Sequence, residues 1–235
     1  SWLPPGSWHA VDGPAYDDLL VVGDGGAACH YNGRYFLPVD LGLGLGSDDH
    51  LYGIDAGEDL WVIVGAGGAV YRSSDGERWT VVDSGVDVAL RGVRVFADES
   101  FVVVGDAGTI LHWRDGAFAE EDTHTENDLH AAWGVSAAEL YATGAAGGVV
   151  HAIAGGWFRQ QVAGGAVSLR GIDAADAGHI VVVGDQGAIH HSDGLEWRAE
   201  LSNDVSARDL HAVRALGPDA AWAAGDDGVL LELAP

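Results

Sequence analysis

Six residues that can hold a proton, donate to an anion or stack on a ligand recur at one position of a repeat. They are His9, Tyr52, Arg91, His130, Arg170 and His211, 39 to 43 residues apart. Each follows a Leu or Trp at the start of a short segment, as in Trp8-His9-Ala10-Val11, Leu51-Tyr52-Gly53-Ile54 and Leu210-His211-Ala212-Val213. Five of the six are His or Arg, which carry or can gain positive charge and donate hydrogen bonds. Gathered in one place they would suit an anionic small molecule or an acidic glycan. His130 or His211 beside a substrate would also offer a general base. The plainer expectation is that each caps a strand or bonds a neighbouring carbonyl, because buried polar groups need partners.

The elements that must position this column announce themselves through glycine. Gly-x-x-Gly closes an apolar run six times, at Gly23, Gly65, Gly105, Gly144, Gly184 and Gly225, with intervals of 42, 40, 39, 40 and 41 residues. In the fifth copy, Leu169 to Asp173 alternates, His179 to Val183 is β-branched, Gly184-Asp185-Gln186-Gly187 turns the chain, and Ala188 to His191 returns. Ser192-Asp193-Gly194 then turns it again, before an outer segment that starts at Trp197. Four short strands at a period near 40 residues predict one propeller blade per repeat.

The expected fold is therefore all-β, a single six-bladed propeller over 1–235 with blades near 7–40, 41–85, 86–125, 126–165, 166–203 and 204–235. The sixth repeat stops after its third strand, and the chain opens with Trp2-Leu3-Pro4-Pro5, an aromatic start like that of outer strands elsewhere. Residues 1–5 are thus expected to supply the missing edge strand and close the last blade. In such a fold the first strands line a central channel. The column of six should then converge there, with Asp24, Asp106, Asp185 and Asp226 of the glycine turns on the same face.

The run from Val183 to His190, with Asp193-Gly194 and Trp197, resembles the BNR or Asp-box propeller repeat. That repeat is found in sialidases, in Ycf48-like photosystem assembly factors and in predicted surface proteins of myxobacteria. Ser73-Ser74-Asp75-Gly76-Glu77-Arg78-Trp79 is the best Asp-box, one residue short between Asp75 and Trp79. The resemblance spans nearly the whole chain, and it implies a bacterial protein at an extracytoplasmic or cell-surface location. It is specific for fold and not for activity. A sialidase-like site would need an arginine cluster, a nucleophilic Tyr with a Glu partner and an acid Asp. Arg91, Arg170 and Tyr52 supply only fragments, since no Glu lies in the first strands.

A second column, His30, Tyr71, His112, His151, His190 and Leu231, falls on third strands. Those histidines belong to separate blades and cannot share one ion within the ~2.1 Å that zinc ligation needs. They read as half-buried strand residues, with adjacent His190 and His191 on opposite faces. Cys29 is the lone cysteine, at the end of the apolar stretch Ala27-Ala28-Cys29, so no intramolecular disulfide forms and a buried structural role is expected. The Gly-Leu segment from Leu41 to Gly46 has the look of an exposed, flexible lid or partner contact. The stretch from Glu120 to Asp128 is rich in oxygen donors but lacks calcium-loop spacing.

Composition narrows the function classes. Eleven cations, all Arg, face 36 Asp and Glu for a formal charge of -25, which disfavours nucleic acid and anionic membranes as partners. No apolar run approaches a membrane span, no signal peptide is visible, and the chain has no Met, as expected of a processed or excised chain. Neither a cofactor motif nor a metal cluster is present, and a monomer is expected. The reading favoured is a non-catalytic binding module that presents the His/Arg/Tyr column to a protein partner. Recognition of an anionic small molecule or acidic glycan, or an uncharacterised glycosidase-like or lyase-like enzyme, are the alternatives.

Overall fold

The computed structural model describes Leu3 and residues 6–153, 155–162, 167–200, 208–218 and 220–233. The chain forms two compact units, Ser1–Glu121 and Asp122–Pro235. The fold is an all-β propeller of six antiparallel blades, three to each unit.

In the first unit, blade one is β1 (Trp8–Ala15), β2 (Asp18–Gly23), β3 (Ala28–Tyr31) and β4 (Phe36–Pro38). Blade two is β5 (Leu51–Ala56), β6 (Trp61–Gly65), β7 (Val70–Ser73) and β8 (Thr80–Val81). Blade three is β9 (Leu90–Val95), β10 (Phe101–Gly105), β11 (Ile110–Arg114) and β12 (Ala117–Glu120). In the second unit, blade four is β13 (Leu129–Ser136), β14 (Glu139–Gly144), β15 (Gly148–Ile153) and β16 (Gly156–Gln161). Blade five is β17 (Leu169–Ala174), β18 (Ile180–Gly184), β19 (Ile189–Ser192) and β20 (Trp197–Ala199). The sixth has three strands among the described residues, β21 (Leu210–Gly217), β22 (Ala220–Gly225) and β23 (Leu230–Leu233). Strand order follows chain order in every sheet. The segment expected to close the sixth blade, residues 1–5, lies outside the described residues apart from Leu3.

The second strands β6, β10 and β18 read as unbroken apolar runs because both of their faces are covered. In β6, Trp61 and Ile63 pack toward blade one with Leu20, Val22 and Ile54. Val62 and Val64 pack the other way, against Val93, Phe101 and Val103 of blade three. The second unit repeats this: Ile180 and Val182 join Trp133 and Tyr141 of blade four, while Val181 and Val183 join Leu210, Ala221 and Ala223 of blade six. Phe101 is fully buried, and truncating it to Ala would cost about 3–5 kcal/mol. Cys29 is buried as expected, and burial raises its thiol pKa, which keeps it protonated and inert.

The two glycines of each Gly-x-x-Gly have different tasks. The first is extended, and a Cβ on it would meet a backbone carbonyl, 2.1 Å from Ser7 O at Gly23 and 2.0 Å from Asp128 O at Gly144. The last is left-handed, with φ of 69° at Gly26 and 72° at Gly187, which glycine adopts without steric cost.

Carboxylates clasp neighbouring blades within each unit. Asp12 accepts the Ala56 N–H at 2.9 Å, Asp55 accepts the Val95 N–H, and Asp173 accepts the Ala215 N–H at 2.9 Å. Arg94 lies 3.7 Å from Asp55 and Arg214 3.7 Å from Asp173, adding charge to two of the clasps.

Candidate functional site

Every residue of the sequence-derived column sits on a β-bulge. In blade one the pairing steps from Trp8↔Gly23 to Ala10↔Val22, leaving His9 as the extra residue. The same step singles out Tyr52, Arg91, His130, Arg170 and His211. A bulge takes a residue off the ladder and re-aims its side chain. It is fixed from below by the glycine turn, whose second residue donates its N–H to the carbonyl two residues before the bulge. Examples are Asp24 to Ser7 at 3.0 Å, Asp106 to Ala89 at 2.9 Å and Asp226 to Asp209 at 2.9 Å.

That same turn residue bonds the bulged His or Arg in four blades. His9 Nε2 lies 2.6 Å from Asp24 Oδ1, and His211 Nε2 lies 2.7 Å from Asp226 Oδ1. Arg91 holds Asp106 through Nε and, at 3.0 Å, through Nη2 to Oδ2, while Arg170 Nε holds Asp185 Oδ1. In each pair the acid follows the His or Arg by fifteen residues. Blades two and four have Ala66 and Ala145 at the turn position, and their bulged residues find other partners. His130 Nδ1 meets the Leu169 carbonyl of the next blade at 3.0 Å.

In the first unit the column becomes a local cluster. The Tyr52 ring has the His9 ring edge-on at 5.6 Å and the Arg91 guanidinium 5.5 Å from its centroid. The His50 ring stacks on it at 6.3 Å and 25°. His50 Nδ1 is also 2.9 Å from Asp24 Oδ1, without the geometry of a hydrogen bond. The bond from His9 holds the Asp24 carboxyl below its usual pKa range. Three aromatic rings, a guanidinium and two carboxylates thus share one patch, able to stack on planar groups and to meet charges of both signs.

Other expectations fare differently. The Gly-Leu segment is not an exposed lid: Leu41 is buried, and Leu43 and Leu45 pack on the core between blades one and two. Leu at alternate positions with Gly between them places every Leu on one side, and that side faces inward. In the third-strand column, His30 is paired with Asp18 at 2.6 Å, Tyr71, His151 and His190 are buried, and His112 is half-buried. His151 stacks on Tyr141 at 3.7 Å, and burial lowers the pKa of both His151 and His190. His191, on the opposite face from His190, reaches Glu200 at 2.6 Å.

The segments around Asp75 and Asp193 are turns. Asp75 accepts the N–H groups of Glu77 and Arg78, at 2.9 and 2.8 Å, and Asp193 accepts those of Leu195 and Glu196, at 3.1 and 3.0 Å. In the oxygen-rich loop, Asp122 accepts the His124 N–H and Arg159 donates to the His124 carbonyl.

No family profile and no curated protein matches the chain. Among solved structures it is similar to "YCF48 bound to D1 peptide", with TM-score 0.66 and 15% identity over 99% of this chain and 93% of that one. Ycf48 from Cyanidioschyzon merolae gives TM-score 0.65 and 15% identity over 99% and 97%. The WD40 repeats of RRP9 give TM-score 0.81 and 11% identity over 97% and 76%. At these identities the likeness establishes the propeller fold.

Proposed function

We propose that this chain is a non-catalytic interaction module that engages a polypeptide partner through the surface carrying the bulged column. The observation that carries this reading is the fifteen-residue pairing of a bulged His or Arg with an acid. An isolated anion would have to compete with Asp24, Asp106, Asp185 or Asp226 for each of these donors. A peptide, with donors, acceptors and charges of both signs, can bond to the pairs as they stand. In the first unit Tyr52, braced by His9 and Arg91, is a rigid aromatic anchor of the kind that dominates binding energy at interfaces. The similar Ycf48 structure bound to a peptide is consistent with this use of the fold.

Acid–base catalysis by His211 would draw on its Asp226 partner, the arrangement that orients a general base. The same position holds Arg91 with Asp106 and Arg170 with Asp185, and a guanidinium cannot act as a base. The carboxylate is thus a repeat-encoded brace for whichever His or Arg occupies the bulge.

The test is a peptide array of mixed-charge 15-residue sequences probed with the wild type and with Tyr52→Ala and Arg91→Ala. Peptides retained by the wild type should lose about tenfold or more in affinity with either variant. Retention by both variants at wild-type strength would refute the reading. So would turnover of a glycoside panel that a single His211→Ala change removes.

A further inference from the structure

Between blades two and three, on the outer side of the first unit, an open groove of roughly 630 Å³ runs beside β8. Its walls include Arg72, Thr80, Val81, Asp83, Trp113 and Phe118. This volume is within the range of ligand-binding clefts, about 300–1,000 Å³. We infer that this groove takes an extended, acidic peptide segment, which adds as a fifth strand to the edge of β8 and sets a carboxylate on Arg72. The site is separate from the bulged column and goes beyond the function proposed above.

Three observations carry the inference. The first is an open sheet edge. Arg72 pairs with Thr80 and Tyr71 with Val81, and Val82 N–H bonds the Val70 carbonyl at 2.9 Å. Hydrogen bonding alternates along an antiparallel strand, so Thr80 and Val82 point their backbone groups inward. The N–H and C=O of Val81 therefore face outward, where an extended chain can pair with them.

The second is a cation without a carboxylate. In a chain of 36 acids and 11 arginines, Arg72 makes no ion pair among the described residues. Its guanidinium lies over the Trp113 ring instead, 5.5 Å from the centroid, spanning the gap between the blades. Asp83, the acid on the groove, is engaged by the Gly85 N–H at 3.0 Å.

The third is the apolar wall. Trp113, Phe118 and Phe101 form an aromatic cluster with centroids 5.0 to 5.7 Å apart, and Trp113 and Phe118 are only partly buried. Arg72 and Thr80 lie opposite each other in the pairing and so share a sheet face, the one that continues inward through Val82 to the core against blade three. A peptide residue paired beyond Thr80 would project over that face, within reach of Arg72, and its neighbours two positions away would lie along the aromatic wall. The occupant is thus an alternating segment whose groove-facing residues are apolar, acidic and apolar.

The probe is the amidated, fluorescein-labelled peptide Leu-Thr-Glu-Thr-Leu, with its Leu-Thr-Lys-Thr-Leu twin, read by anisotropy against the full chain. The Glu peptide should bind the wild type at least about tenfold more tightly than the Lys twin, and Arg72→Glu should reverse the order. Val81→Pro deletes the outward N–H without touching the ladder to β7, and should abolish binding of both peptides. Should that variant lose its folded near-ultraviolet signal, two Glu peptides singly N-methylated at successive central amides replace it, and one of them should weaken about tenfold or more. Equal affinity for the Glu and Lys peptides, no binding up to millimolar peptide, or indifference to the charge reversal or to both N-methylations would each overturn the proposal.

Discussion

Arg91 and Asp106 are fifteen residues apart in sequence and joined by a two-point bond in space, Nη2 to Oδ2 at 3.0 Å with Nε on Oδ1. Both side chains are about one-third exposed, so solvent weakens the pair. A double-mutant cycle with Arg91→Ala and Asp106→Ala, followed by urea unfolding, should return a coupling of about 0.5–1 kcal/mol. The matching cycle at Tyr52 and Ala66, using Tyr52→Ala and Ala66→Gly, should return a value near zero.

The glycine turn makes a contrast that stability measurements can read. Gly184→Ala would place a Cβ 2.1 Å from the Ser168 carbonyl and should cost about 3 kcal/mol or more. Gly228→Ala meets nothing within 4 Å, and its φ of 73° should cost only about 1–2 kcal/mol. Gln186 occupies the left-handed region at φ 58°, so Gln186→Gly should be neutral or stabilising by up to about 1 kcal/mol. Chemical denaturation of the three variants gives the order.

Asp55 should make stability fall as pH rises. Burial pushes its pKa up to about 7, against the opposing pull of Arg94 and the Val95 amide and with added repulsion from Asp12. A raised folded pKa means that the contribution is complete below the ordinary carboxylate range, about 4, and is lost as pH rises through about 7. The Asn side chain of Asp55→Asn stays neutral throughout. Relative to wild type its melting temperature should gain between pH 5 and pH 8, by roughly 4 °C.

His151 and His190 act in the opposite direction. Burial lowers both pKa values, so the unfolded chain takes up protons first, and stability is lost as pH falls below about 6.5. His190 Nδ1 has no hydrogen-bond partner among the described residues, so replacing the ring with an apolar one removes a buried polar cost as well. His190→Phe should fall less between pH 7 and pH 5 than wild type, by roughly 2–4 °C in a melting series.

The blades were legible because the physics that fixes them is local. The first glycine answers to a carbonyl, the last to a left-handed turn, and doubly buried strands spell apolar runs such as Trp61 to Val64. The bulged column was legible as a recurring position, but the bulge was not, since an extra residue in a ladder has no residue-type signature. What the sequence does carry is a spacing: Asp stands fifteen residues after the bulged His or Arg in blades one, three, five and six, and Ala follows Tyr52 and His130 by fourteen and fifteen. The blade clasps had a signal too, Asp three residues after the column in Asp12, Asp55 and Asp173. The Gly-Leu segment is less legible, because glycine spells flexibility in sequence, whereas here it lets three leucines turn toward the core. The groove at Arg72 depends on residues from two blades, which no single repeat displays.

The clasps have a direction. Asp12 of blade one receives from Ala56 of blade two, Asp55 of blade two from Val95 of blade three, and in the second unit Asp173 of blade five from Ala215 of blade six. In each case the acceptor precedes its donor in the chain. Within each unit, a polypeptide leaving the ribosome therefore presents each of these three carboxylates before the strand that satisfies it.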